Sequence, residues 1–174
     1  LKDLSALASM PLKHIDLQQA QVVDLSDLNG LQIESLILSE SNVTDLKALT
    51  GLPIESLSMP KTPVSDLSPL HGMPLTHLNF DRTQVTDLSP LEGSSLNEIH
   101  LFGCWIKDFA PLATMPNLDR EQQVAIPFLI GVDSELQFRE KMKQLGSSHG
   151  QDADALLYSI VIYVAMRRYS EHGP

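Results

Sequence analysis

Apolar residues recur along this chain in a fixed register. Leu1, Val22, Val43, Val64, Val85 and Ile106 fall 21 residues apart. So do Leu4, Leu25, Leu46, Leu67, Leu88 and Phe109, and so do Leu7, Leu28, Leu49, Leu70, Leu91 and Leu112. An aspartate column, Asp3, Asp24, Asp45, Asp66, Asp87 and Asp108, keeps the same spacing. A short period repeated this faithfully is the signature of a solenoid, in which each unit buries its apolar face against its neighbours.

Within each unit a brief stretch alternates apolar with polar residues. Leu75, Leu78 and Phe80 bracket Thr76, His77, Asn79 and Asp81, and Leu96, Ile99 and Leu101 repeat the pattern one unit on. Period-two alternation predicts a strand with one buried face. A chain that returns every 21 residues lays successive strands side by side in the same direction. The other half of the unit reads Val-x-Asp-Leu-Ser-Pro-Leu in its fullest form, at Val64–Leu70 and Val85–Leu91. Ser or Asp suits a helix cap and Pro the first helical position, while too few residues remain for more than one 3-10 turn. Gly30, Gly51, Gly72 and Gly93 then turn the chain back toward the sheet.

The expected architecture is therefore an α/β solenoid: a right-handed leucine-rich-repeat coil with a parallel concave sheet of about five strands, 3-10 turns on the convex side and a helical C-terminal cap. Its repeats occupy 1–118, with the first unit incomplete, because Leu1 stands in the Val slot and no strand precedes it. That end is expected either to continue N-terminally or to be covered by a partner. The stacked carboxylates Asp24, Asp45, Asp66, Asp87 and Asp108 are structural repeat positions, expected to accept backbone N–H groups of the convex turn. A calcium ladder needs several oxygens converging on each ion, and one Asp per turn is too few.

The run Leu-His-Gly-Met-Pro-Leu-Thr-His-Leu at 70–78, followed by Thr-Gln-Val-Thr-Asp-Leu-Ser-Pro-Leu at 83–91, resembles bacterial short leucine-rich repeats. It is most similar to arrays found beside serine/threonine protein kinase domains in some bacteria. The Asp-Leu-Ser-Pro-Leu turn also resembles the internalin repeat, which is usually one residue longer. The resemblance covers roughly 1–118 and is specific for fold rather than function. The asparagine that such repeats often carry after the strand is replaced by Ala20, Ser41, Thr62, Thr83 and Cys104. Three hydroxyls in that column still offer the turn backbone a weaker partner. No Gly-rich loop, His-Arg-Asp or Asp-Phe-Gly appears, so a kinase domain would have to lie upstream.

After Leu118 the register fails. Residues 119–174 read as a separate helical segment, with helices near 134–145 and 152–169 separated by a polar linker. The second is apolar on nearly every side from Ala153 to Met166. Its length, roughly 21 Å, is short of about 30 Å of hydrocarbon, so a transmembrane span is not expected. A cap on the last repeat, a homodimer interface and membrane-surface association remain as readings, because a helix apolar all round must be covered.

Charge narrows the partners. The 174-residue chain carries a formal net charge of −10, and residues 1–118 hold 14 acids against 6 bases. An acidic surface repels a phosphate backbone, so nucleic acid is not an expected partner. The single cysteine, Cys104, excludes an intrachain disulfide and reads as a small core residue. No signal-peptide pattern opens the chain, and the compartment stays open between cytoplasm and cell surface, with the cytoplasm favoured.

Candidate chemistry lies on the solvent face of the sheet, in three columns: His14, Ser35, Ser56, His77 and Glu98; Asp16, Ile37, Ser58, Asn79 and His100; and Gln18, Ser39, Pro60, Asp81 and Phe102. Hydrogen-bonding groups gather toward the last two strands. His77, Asn79, Asp81, Arg82, Glu98, His100, Phe102 and Trp105 are the candidate binding residues on the concave face. Trp105 takes a slot held earlier by Gln21, Asn42, Pro63 and Gln84, and an exposed aromatic is a favoured interface anchor. The competing reading has the C-terminal segment folded over Phe102 and Trp105. Neighbouring positions on a flat sheet are expected to diverge, which argues against a metal site. No nucleophile elbow or phosphate loop is present. The expectation is a protein- or peptide-binding module without catalytic activity or cofactor. The alternatives are a regulatory or sensory appendage of a larger enzyme such as a bacterial serine/threonine protein kinase, and a dimerising assembly element.

Overall fold

A computed structural model describes residues 4–7 and 10–118. Five strands alternate with six 3-10 turns. The strands are β1 (His14–Asp16), β2 (Ser35–Ile37), β3 (Ser56–Ser58), β4 (His77–Asn79) and β5 (Glu98–His100). They form one parallel sheet in sequence order, and the register pairs equivalent residues throughout, Leu36 with Leu57 and Leu57 with Leu78. The period read from the sequence is thus the period of the backbone.

Each strand is only three residues long, with its central side chain buried. The flanking apolar positions, such as Leu75 and Phe80 around β4, are buried as well but lie outside the strand. Ile33, Leu36, Leu38, Val43, Leu46 and Leu49 of one unit are each at most 1% exposed. Burying one such aliphatic side chain contributes about 1.5–3 kcal/mol, and stacking repeats it unit after unit in a single core.

The inter-strand ladder runs past the strand ends into the following turns. Gln19, Glu40, Lys61 and Arg82 donate their N–H groups to Ser39, Pro60, Asp81 and Phe102 one unit on, at 2.7–2.9 Å. All four donors have positive φ, between 55° and 58°, and Gly103 continues the column at 73°. The third expected column, Gln18 to Phe102, therefore sits in turns immediately beyond the strands rather than in them. Ser39, expected at the surface, is only 9% exposed. Its short side chain stands between the bulkier Gln18 and Pro60 at strand spacing.

On the opposite side, one 3-10 turn per unit forms where the Asp-Leu-Ser-Pro-Leu pattern places it, at Ser26–Leu28, Lys47–Leu49, Ser68–Leu70 and Ser89–Leu91. The carboxylate, not the serine, supplies the cap. Asp24, Asp45, Asp66, Asp87 and Asp108 each accept the backbone N–H two residues on at 2.8 Å. Ser68 and Ser89 instead donate their hydroxyls to the second oxygen of Asp66 and Asp87. Pro69 and Pro90 occupy the second position of their turns rather than the first, still where a missing N–H costs nothing. Gly72 leaves its turn at φ +71° with open space beyond its Cα, so backbone conformation alone demands glycine there.

Every helical element among the described residues is of the 3-10 type. The α part of the expected α/β class, the helices near 134–145 and 152–169 and the cap they would form all fall in 119–174, outside the described residues. Among the described residues no helix is long and apolar enough to cross a membrane.

Candidate functional site

Five units of fixed register carry side chains outward from the sheet at regular intervals, so any recognition surface here is built from columns. Toward the N-terminal end the columns pair with themselves along the coil. Lys13 reaches Glu34, and Lys61 and Gln19 both reach Glu40, each across one repeat. The Lys61 ammonium, followed by the Gln19 amide, holds the Glu40 carboxyl below its usual range. Such exposed pairs contribute little to stability, but they occupy the charges that make them.

Toward β4 and β5 the pattern changes. Glu98 lies directly across from His77 and two residues before His100. Its carboxylate reaches both: Oε1 is 2.5 Å from His100 Nε2, and Oε2 is 3.9 Å from His77 Nε2. Against the expected divergence His100 turns onto Glu98, while His77 stays 3.9 Å away, and among the described residues no group of three or more His, Cys, Asp or Glu could hold a metal ion. Thr76, which the sequence reading left out of the candidates, sits behind this group. Its Oγ1 lies 2.9 Å from His77 Nδ1 and 3.1 Å from the Glu55 carbonyl. A threonine beside a strand histidine carries no sequence signal of its own, because the link depends on both side-chain rotamers.

Asn79 and Asp81 are half-buried and partly committed to the backbone. Asn79 Oδ1 accepts the Asp81 N–H at 3.0 Å, and Asp81 Oδ1 accepts the Phe102 N–H at 2.6 Å. Arg82 extends across Gly103, where an added Cβ would stand 3.1 Å from its Cγ, and its guanidinium carbon lies 5.6 Å from the centre of the Phe102 ring. A glycine at that point lets the arginine reach the aromatic ring and form a cation–π contact. Lys13, Lys47 and Lys61 are all paired with carboxylates. Arg82 is paired with a ring instead.

Phe102 and Trp105 are 41% and 45% exposed. Phe102 belongs with the β4–β5 group. Trp105 does not stand on the sheet face: it follows the buried Cys104 on the segment leading toward the convex turn. It therefore extends the surface around the edge of the sheet. Cys104 itself packs beneath, its Sγ 3.1 Å from the Phe80 carbonyl and 3.4 Å from the Thr83 hydroxyl, and burial raises its thiol pKa.

No protein-family model matches this sequence, and no curated protein matches it either. Solved structures do. The chain is similar to internalin C2 of Listeria monocytogenes, with 36% identity over 68% of this chain and 54% of that one, at a TM-score of 0.65. It is also similar to internalin F of the same organism, with 28% identity over 67% of this chain and 36% of that one, at a TM-score of 0.61. The chain thus spans about half the length of the first and about a third of the second. The fold is an internalin-like leucine-rich repeat. Both neighbours are internalins, and neither links the chain to a protein kinase.

Proposed function

We propose that this chain is a protein- or peptide-binding module that engages its partner through the β4–β5 end of the sheet and the adjoining edge. The observation that carries this reading is the clustering of exposed aromatics and exposed polar side chains in one region. Phe102 and Trp105 stand open to solvent, Arg82 lies against the Phe102 ring, and Glu98, His77 and His100 project from the neighbouring strands. Aromatic and arginine side chains carry a disproportionate share of interface energy, and rigid presentation lowers the entropy lost on docking. The internalin-like fold supports the same reading.

The site offers recognition groups rather than a reaction centre, so the module is read as non-catalytic.

The test compares the wild-type chain with a Phe102→Ala/Trp105→Ala variant as bait in pull-downs from the source organism. Binding of one partner to the wild type, lost in a variant of unchanged thermal midpoint, is the expected result. Equal recovery by both baits would remove the binding surface from this end of the sheet.

A further inference from the structure

Among the described residues one cation on this surface has no carboxylate partner, and the repeat explains why. Gln19, Glu40, Lys61 and Arg82 are equivalent residues of successive turns, all at φ between 55° and 58°. Within that column Lys61 turns back one unit onto Glu40, which Gln19 reaches from the other side. Arg82 has no such neighbour. The residue one unit behind it is Lys61, a like charge already engaged, and the residue one unit ahead is Gly103, which has no side chain. The adjoining Asp81 turns its Oδ1 onto the Phe102 N–H instead. Among the described residues Arg82 forms no ion pair, and its contact is with the Phe102 ring.

That contact holds the guanidinium in place without using its donors. The Arg82 N–H is fixed to the Phe102 carbonyl at 2.7 Å, and the side-chain stem crosses Gly103, where a Cβ would stand 3.1 Å from its Cγ. The guanidinium carbon then lies 5.6 Å from the ring centre. A cation–π contact engages the charge and leaves the planar fork of N–H groups to meet a carboxylate. A side chain already held in place loses less entropy when a ligand docks.

We propose that Arg82 is the specificity-determining residue of the binding surface described above, and that it selects a peptide carrying an aspartate or glutamate beside an apolar side chain. The carboxylate pairs with the guanidinium, and the apolar neighbour lies on the solvent-open part of Phe102, which is 41% exposed. This deepens the protein-binding reading and rests on it. A monoanion fits better than a phosphate. A phosphate calls for several donors or cations, and here Lys61 is held by Glu40 while the Arg82 and Phe102 N–H groups are taken within the coil. The chain's own charge of −10 adds a repulsion that grows with the charge of the ligand. Lysine is no substitute for this arginine, because a point charge gives neither the fork nor the same stacking on the ring.

The test is retention of the full chain on an array of synthetic peptides. Each carries one Phe, Leu or Trp flanked at varied spacing by Glu, by Gln or by phosphoserine. The wild type should favour Glu peptides over their Gln counterparts by roughly tenfold, as one hydrogen-bonded charge pair contributes. Arg82→Gln should bind the two alike at an unchanged thermal midpoint, and Arg82→Lys should keep only part of the preference. Lys47→Gln, on the convex side, should keep all of it. Equal retention of Glu and Gln peptides by the wild type, or retention of none, overturns the proposal. So does an undiminished preference in Arg82→Gln, which places the acid-selecting group elsewhere. A stronger preference for phosphoserine overturns it too, by making the ligand a phosphate. The surface itself is judged separately: a native partner lost to Phe102→Ala/Trp105→Ala but kept by Arg82→Gln leaves the surface standing and removes this selectivity.

Discussion

The backbone N–H of Phe102 is held by the carboxylate of Asp81, one repeat earlier, at 2.6 Å. An exposed aromatic is thereby tied to a half-buried acid whose own N–H is taken by Asn79. The ring is presented from a turn that would otherwise leave that donor to water. Asp81→Ala should remove the acceptor and loosen the Phe102 turn, at a cost of about 1–2 kcal/mol in urea unfolding, since a bond to a charged group is worth somewhat more than a neutral one. A correspondingly faster amide exchange confined to Phe102 and its neighbours is the local readout. Unchanged exchange there would mean that the bond does not order the turn.

The convex carboxylates make stability depend on pH in a stated direction. Asp45, Asp66 and Asp87 are held below the ordinary value of 3.8, first by the backbone N–H two residues on and then by the side chain of Lys47, Ser68 or Ser89. A carboxyl with a lower pKa folded than unfolded stabilises the fold above its unfolded pKa, and loses that effect as pH falls through the folded one. The thermal midpoint should therefore be level between about pH 7 and 5 and drop below about pH 4. Asp66→Asn/Asp87→Asn should lower the midpoint at neutral pH and flatten the acid limb. An acid limb of undiminished slope would move the acid lability to other carboxylates.

Much of this was legible beforehand, because a 21-residue period forces equivalent side chains into rows. The row of aspartates, the buried Val and Leu columns and the glycine at φ +71° all follow from spacing and residue type. The left-handed turns at Gln19, Glu40, Lys61 and Arg82 were not legible, since long polar residues give no hint of positive φ. Only Gly103 in that column signals it. The turning of His100 onto Glu98 was likewise invisible, because sequence fixes where a Cβ stands on a sheet but not how flexible side chains turn. The placement of Trp105 failed for a simpler reason: strands of three residues end well before it.

Core and face residues on one strand should respond oppositely to truncation. Leu78 is 1% exposed at the centre of β4, while its neighbour His77 points to solvent. Leu78→Ala removes stacked aliphatic atoms between two layers that cannot collapse independently, and should cost about 2–5 kcal/mol. His77→Ala should leave the unfolding midpoint within experimental error. A comparable loss in both variants would mean that the face carries structural weight, and that partner measurements on histidine variants are confounded.

The column beneath the turns supplies the sharpest contrast, because its three buried hydroxyls differ in how they are satisfied. Thr62 and Thr83 donate their hydroxyls at 2.8 Å to the Met59 and Phe80 carbonyls. Ser41, in the same column and equally buried, has a hydroxyl oxygen without a partner. A buried hydroxyl that makes no bond carries its desolvation cost without return, whereas one that makes a good bond contributes about 1 kcal/mol net. Thr62→Val should therefore destabilise by about 1–2 kcal/mol, through the lost bond and the carbonyl left behind. Thr83→Val should cost less, because Cys104 Sγ still donates to the Phe80 carbonyl at 3.1 Å. Ser41→Ala should be neutral or stabilising. Chemical denaturation of the three variants under one condition orders them directly, and a Ser41→Ala loss as large as that of Thr62→Val would mean that the Ser41 hydroxyl is bonded after all.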